Sequence, residues 1–535
     1  MNLSDLKGQH RKRGLLHIPL AQQSVYRDEQ RPEAVTGSTI NGSHLTSISP
    51  SSSCAFASAY AYASYATLVL PFKVCTHGAF NKKEEGKQQQ IDLCVENISV
   101  DVNVELMIDI DMPITPEVTR KLNDLAIFVS DGGPDIRDKI LGLGAYSIVI
   151  RSWYACCSSG VMNVPSPAAG AAQCRDAVLN ALYSLTAGHP EIIDETGWEI
   201  IAQALDTTCS EDTHVLVLKL CRNVFIKAEE NREHFTWTLP LLEPLVAIII
   251  QDRPSCQLLR EWSSAIKALI LSDDPRVPYN RASERKRYIA RTGVLPIVAG
   301  HLHQPEYEND EGALNAMIIF LGSMAISDDM CVHIESGNVL PGILIILRNH
   351  FHNKTLIRNT ISLLRYLSIN DQVREKCSGL ALMKWVVALI DYYKKETDMV
   401  DVGLNCCAFM TLQNACQTSQ FLSKNGLNLL YTIITEHIED VTILKGACFT
   451  LRNICENGDK ETREKMVELG YPALLIQVAT TVEELKEFYV MPVLRELGIT
   501  NIENEGNQEV PDTGAEDAGT MAALATLSDI DGGAE

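Results

Sequence analysis

From about residue 140 onward one phrase recurs along this 535-residue chain: a polar turn, a glycine, then an apolar run. It stands at Gly144, Gly197, Gly293, Gly337, Gly379, Gly426 and Gly470, and Thr238-Leu239-Pro240-Leu241 fills the one vacant slot without a glycine. Successive anchors lie 53, 42, 54, 44, 42, 47 and 44 residues apart, and the two long intervals hold insertions at Pro165–Ala172 and Asp273–Arg287. A period in the forties belongs to helical repeats that cannot bury their apolar stripes alone and must stack on their neighbours. A chain this long outgrows one ordinary core, so the alternatives are several domains or one extended array. The period selects the array.

Each unit reads as helices joined at the glycine. The glycine closes one helix in the left-handed conformation that a side chain penalises. On that register Gly337 and Gly426 take positive φ, and valine at either position costs more than an ordinary surface change. An apolar helix follows, as in Leu340 to Leu347, and past a polar break comes another with a period near 3.6. In the last full unit Ile443, Leu444, Ala447, Leu451 and Ile454 share one face, the stripe a stacked helix must bury.

Several stretches also resemble a known family. They are Leu143-Gly144-Ala145-Tyr146-Ser147-Ile148, the run Ala181 to Pro190, Asp273-Asp274-Pro275-Arg276-Val277-Pro278-Tyr279, and Leu451-Arg452-Asn453 with Val493 to Gly498. Together they resemble the armadillo repeat-containing protein 6 family over about residues 117 to 498, with the Asp-Asp-x-Arg-Val-Pro segment the most specific. The resemblance implies an armadillo solenoid without enzymatic activity and supplies no defined ligand. Residues 1–112 depart from it, being low-complexity where the family begins with a charged helical region. No N-terminal function is therefore carried over.

The net charge of −22 argues against binding driven by nucleic-acid phosphates or by an anionic membrane. Sixteen cysteines without one Cys-x-x-Cys pair do not read as a disulfide framework. Most, including Cys174, Cys221, Cys331, Cys406, Cys407, Cys448 and Cys455, sit in apolar helical patterns where a free thiol acts as a small hydrophobe. That usage implies a reducing compartment, so the expected location is cytoplasmic, with the nucleus as an addition. No signal-type apolar stretch follows the first charges. The uncharged segment from Thr46 to Phe72 is Ser, Ala and Tyr-rich and reads as disordered, not as a membrane span.

Motifs for chemistry are few. There is no Gly-rich phosphate loop, no Gly-x-Ser-x-Gly and no His-Glu-x-x-His, so no catalytic residue, cofactor or metal ligand is assigned. His301-x-His303 and His350-x-His352 have no carboxylate or cysteine at ligand spacing and read as solvated helix ends. Cys406-Cys407 reads as packing. The basic cluster Arg281, Arg285, Lys286 and Arg287 reads as a solvated loop face, with a nuclear-localisation or docking patch as the alternative.

The informative positions fall on the last helix of each unit, which lines the concave face in armadillo folds. Aligning the units puts Ser184, Asn223, Ala268, Ser323, Tyr366, Asn414 and Asn453 in one column. The resemblance to importin-α and β-catenin implies that Asn there bonds the backbone of a bound peptide, a task suited to an amide that both donates and accepts. Importin-like proteins carry Trp four residues earlier, where this chain has Asn180, Lys219, Ser264, Ile319, Ser362, Met410 and Phe449. The column before the Asn reads Tyr183, Arg222, Lys267, Gly322, Arg365, Gln413 and Arg452. Four are basic in an acidic protein, either facing a ligand or satisfying helix ends and neighbouring carboxylates.

The expected fold is all-α, a right-handed superhelical solenoid of about eight armadillo-type repeats over residues 113–498. Disordered ends are expected at 1–112 and 499–535, the latter with nine Asp/Glu and no Lys/Arg. The expected function is a non-catalytic adaptor or scaffold holding a protein or peptide segment, extended and acidic, with the acidic tail itself a candidate occupant. An importin-like transport receptor is the alternative, disfavoured by the missing Trp ladder. The groove residues so assigned are Lys219, Arg222, Asn223, Lys267, Arg365, Tyr366, Asn414, Arg452 and Asn453.

Overall fold

Short polar side chains set where the long helices begin. Ser210, Ser255, Asp310, Asn353 and Asp440 each accept a hydrogen bond from a backbone N–H two or three residues on. They satisfy donors that an open helix end leaves bare. In the computed structural model, which describes residues 116–158, 168–250 and 253–499, these helices belong to one continuous row. Its members are α1 Pro116–Gly142, α2 Ala168–Thr186, α3 Glu211–Phe225, α4 Cys256–Leu269, α5 Glu311–Met324, α6 Lys354–Leu367, α7 Thr397–Thr411 and α8 Val441–Asn457, closed by the short Met491–Glu496. Each packs against the member before it and the member after it. Shorter helices precede most of them; Asp371–Gly379 and Leu382–Tyr392, for example, lead into α7. No strand occurs among the described residues. This is the all-α solenoid of about eight armadillo-type repeats that the period predicts.

The apolar stripes close as stacking requires. Ile443, Leu444, Ala447, Leu451 and Ile454 are all buried, and one apolar cluster runs from Leu122 to Leu494 without a break between units. Trp262 anchors its centre, buried against Phe320 with its indole N–H donated to the Leu245 carbonyl at 2.8 Å. Burying a side chain of this kind stabilises by roughly 1.5–3 kcal/mol. The helix α1 bends at Gly133, where φ is +74° and the following Pro134 disfavours helical backbone.

Six of the turns before an apolar helix hold one left-handed residue, but the glycine is not always that residue. Gly144, Gly293 and Gly470 take positive φ as expected. In three other turns the left-handed position falls to Asn338, Ala381 and Asn425. Gly337 and Gly426 are needed instead for space: a Cβ on Gly337 would lie 2.2 Å from the Pro296 carbonyl oxygen, and one on Gly426 2.3 Å from the Phe421 ring. Gly379 meets nothing within 4 Å, while Gly197 sits inside Glu195–Ala204 with its N–H donated to Asp194. Asparagine tolerates the left-handed region through its own short polar side chain, which is why a glycine-only register slips here.

The Asp273–Arg287 insertion is not a solvated loop. Arg285 and Arg232 are fully buried. Arg285 forks onto both Glu229 carboxylate oxygens at 2.8 Å and donates to the Leu269 carbonyl. Arg232 reaches Glu229, Asp273 and the Leu271 carbonyl. Asp274, also buried, accepts from the Glu229 N–H and from Arg276, whose guanidinium holds its carboxyl well below the usual carboxylate range. The segment ends in the helix Ala282–Arg291 and ties two units together. Most of the expected basic patch is thereby used, since Arg281 also pairs with Glu233 and Glu284.

Cys221, Cys331, Cys406, Cys407, Cys448 and Cys455 are buried free thiols, as expected, but Cys174 is joined to Cys156. Burial pushes the Cys406 and Cys407 thiols well up, which keeps them protonated. Among the described residues no single helix is long and apolar enough to cross a membrane. The leader 1–112, with its Thr46 to Phe72 segment, and the tail beyond Ile499 lie outside the described residues.

Candidate functional site

The inner row presents one side of each long helix along a common face, and its register follows from burial. The position of Leu185 on α2 recurs as Val224, Leu269, Met324, Leu367, Met410 and Ile454, every one buried. The residue before it is the predicted asparagine column, and the one before that is the basic column. The register places Asn223, Ala268, Ser323, Tyr366 and Asn453 together, but not Asn414. At α7 the column holds Phe409, because that helix ends at Thr411. Asn414 lies beyond it as the cap of Ala415–Ser423, accepting from the Gln417 N–H and donating to Glu375. The basic column at α7 accordingly holds Ala408 instead of Gln413, and the position four before the asparagine holds Asn405 instead of Met410. No tryptophan enters the ladder.

The two true column asparagines bond the protein itself. Asn223 donates to the Tyr183 carbonyl on α2 at 2.9 Å, and Asn453 to the Ala408 carbonyl on α7 at 2.7 Å. Asn453 is only 1% exposed, so its amide locks neighbouring helices and cannot reach a ligand. Ser184 plays a similar part, with its hydroxyl against Ser130 and its carbonyl accepting from Arg137.

The four cations stand half-buried along the face in different states of pairing. Arg222 lies 3.5 Å from Glu261 and from the Tyr183 hydroxyl. Arg365 stacks 4.5 Å from the centre of the Tyr366 ring. Burial raises the carboxyl of Asp401, and the charge of Arg365 opposes that shift. Arg452 bonds Glu456 one turn along at 2.9 Å. Lys267 and Lys219 have no ion pair or hydrogen bond among the described residues.

Arg222 and Lys267 come together at a depression of about 410 Å³ between α3, α4 and α5. Small residues open it, Ser264 and Ala268 on α4 with Gly312 and Ala316 on α5, and Ile226, Leu271 and Ile319 form apolar walls. Arg260 also lines it and pairs with Asp310 at 3.2 Å. The sequence reading missed Arg260, Ser263 and Asn315. Its columns followed one helical position per turn, whereas a depression spans three helices.

The histidine pairs are not wholly solvated as expected: His301 and His350 are buried, while His303 and His352 are exposed. His350 bonds the Glu311 carboxylate at 3.0 Å and the Glu308 carbonyl at 2.8 Å, and His301 bonds Gln304. Glu311 comes from α5, some forty residues before the histidines, a separation that spacing arguments do not reach.

Row, turns and inner face define an armadillo-type α-solenoid. No protein-family profile matches the chain. It is similar to the armadillo repeat-containing protein 6 homolog of Drosophila melanogaster, 25% identical over 238 residues, 44% of this chain and 49% of that protein. It is likewise 22% identical over 248 residues to armadillo repeat-containing protein 6 of Homo sapiens and of Pongo abelii, 44% of this chain and 48% of each. The chain thus spans about half the length of the curated relatives it matches. Among solved structures, one from work on a phosphorylation switch controlling the interaction between cadherin and beta-catenin superposes with a TM-score of 0.52 at 16% identity. It covers 70% of this chain and 68% of that one, a likeness of fold.

Proposed function

We propose that the protein is a binding scaffold whose inner face holds an extended, acidic segment of another polypeptide. The observation that carries this is the line of half-buried cations, Arg222, Lys267, Arg365 and Arg452, on one face of a chain whose net charge is −22. Cations fixed on a concave surface concentrate positive potential there whatever the total charge. The solved structure with the same fold is described through an interaction between two proteins, which supports a polypeptide as ligand. Ligand contact falls to the cations and to Tyr366, since Asn453 is buried and Asn223 is bonded to α2. The acidic tail, 499–535, is a second occupant in cis, tethered at high effective concentration and competing with outside segments. A cytoplasmic location is proposed from the same cysteine usage as before.

Fluorescence anisotropy with a labelled glutamate-rich 12-residue peptide tests this. Binding weakens with added salt and tightens when residues 499–535 are deleted. Arg365→Glu with Arg452→Glu abolishes it while circular dichroism stays helical. Unchanged affinity and salt dependence in that double variant refute the groove.

A further inference from the structure

One core position on the inner row breaks its own rule. The other inner helices place Leu179, Leu218, Ile318, Ile361, Leu404 and Cys448 there, all buried. The helix α4 places Ser263, only 1% exposed, on the lining of the depression between α3 and α5. Its hydroxyl has no hydrogen-bond partner. Its neighbour Ser264 bonds back to the Arg260 carbonyl, the usual resort of a serine within a helix. A buried hydroxyl left without a partner destabilises a fold. Here it sits where the other units place a buried aliphatic residue or, once, a cysteine, and beside Lys267, whose charge is likewise unmatched.

We propose that this depression is the anchoring subsite for one carboxylate on an aliphatic stem, a glutamate side chain of the bound segment. The inference rests on reading the inner face as a polypeptide groove. Charge counting selects a carboxylate over a phosphate. Of the three lining cations, Arg222 is matched by Glu261 and Arg260 by Asp310, which leaves the single charge of Lys267. One carboxylate neutralises it, whereas a phosphomonoester near neutral pH brings about −1.5 to −2. The walls Ile226, Leu271 and Ile319 suit a methylene stem, and Ser263 donates its hydroxyl proton to the carboxylate oxygen that reaches the floor. Gly312 keeps the mouth open: a Cβ there would press to 3.3 Å on the Arg260 guanidinium.

The test uses the full chain and the glutamate-rich 12-residue peptide. Ser263→Ala and Lys267→Met each weaken binding about tenfold, the scale of one lost charge-assisted hydrogen bond. Ser263→Ala also raises Tm of the free protein, because it removes the unpartnered hydroxyl; a merely structural serine would show no such opposition. Ala316→Phe fills the depression and blocks binding without touching a charge. An aspartate-for-glutamate peptide binds more weakly to the natural protein and equally to Ser263→Ala. If Ser263→Ala and Lys267→Met bind normally while Arg365→Glu with Arg452→Glu does not, the subsite is wrong and the groove stands. If none of these variants weakens binding, both fail. A phosphoserine peptide that binds more tightly, with the gain lost in Lys267→Met, replaces the carboxylate by phosphate and overturns the proposal.

Discussion

At the scale of single residues, the repeat joints separate two uses of glycine. Gly337→Ala drives a methyl into the Pro296 backbone, which cannot move aside as a side-chain end can. Urea unfolding is expected to show a loss of about 2 kcal/mol or more, in the range of overpacked interiors. Gly379 has open space and ordinary φ, so Gly379→Ala is neutral or stabilises by up to about 1 kcal/mol through the unfolded chain. Ala381 carries the left-handed turn, and Ala381→Gly relieves a strain of roughly 1 kcal/mol. Sequence periodicity located every one of these joints to within two residues. It placed the positive φ on Gly337 and Gly426, where Asn338 and Asn425 bear it, because Asn and Gly both tolerate that conformation. Asn414 illustrates the same limit: an early end to α7 moved an asparagine from an expected groove position to a helix cap.

At the scale of elements, the strongest polar joint is the buried network linking Ala282–Arg291 to the unit before it. Arg285→Ala leaves Glu229 with one fewer partner in a dry site and is expected to cost about 3–5 kcal/mol by chemical denaturation. Arg281→Ala, at the exposed edge of the same cluster, costs under about 1 kcal/mol. The network was illegible in the sequence because its partners lie up to 56 residues apart. Only the density of charges in the insertion hinted at it. Acid sensitivity belongs to this joint and to two others along the row. Asp274, held by Arg276, Glu311, held by His350 and Asn353, and Asp398, held by Lys354, all have folded values below the ordinary one. Their stabilisation is therefore complete above the unfolded carboxylate value of about 4 and is lost as pH falls through the lower folded values. Asp401, raised by burial, works in the opposite direction. Urea midpoints measured from pH 6 to pH 3 are expected to fall, and a rise would contradict the assignment.

At the scale of the whole molecule, the apolar cluster extends from Leu122 to Leu494 among the described residues. Deleting 1–110 or 499–535 is expected to leave Tm within about two degrees, since their composition offers little apolar area to offset ordering entropy. A drop of ten degrees would place either segment against the array. Fold class was legible because a solenoid repeats its signal in every unit. The proposed binding face was legible only in part, because cations recur along it but the depression is built by three helices acting together. The nearest-neighbour stacking of the inner row also makes the protein a spring. Pulled from its ends, every joint carries the same load in series, and joints held by apolar contact slide gradually as water enters. The joint closed by Glu229, Arg232 and Arg285 cannot yield by degrees, since separating those charges exposes them all at once. The coil therefore extends most smoothly where its joints are apolar and least at this turn, which lies next to the depression through Leu271.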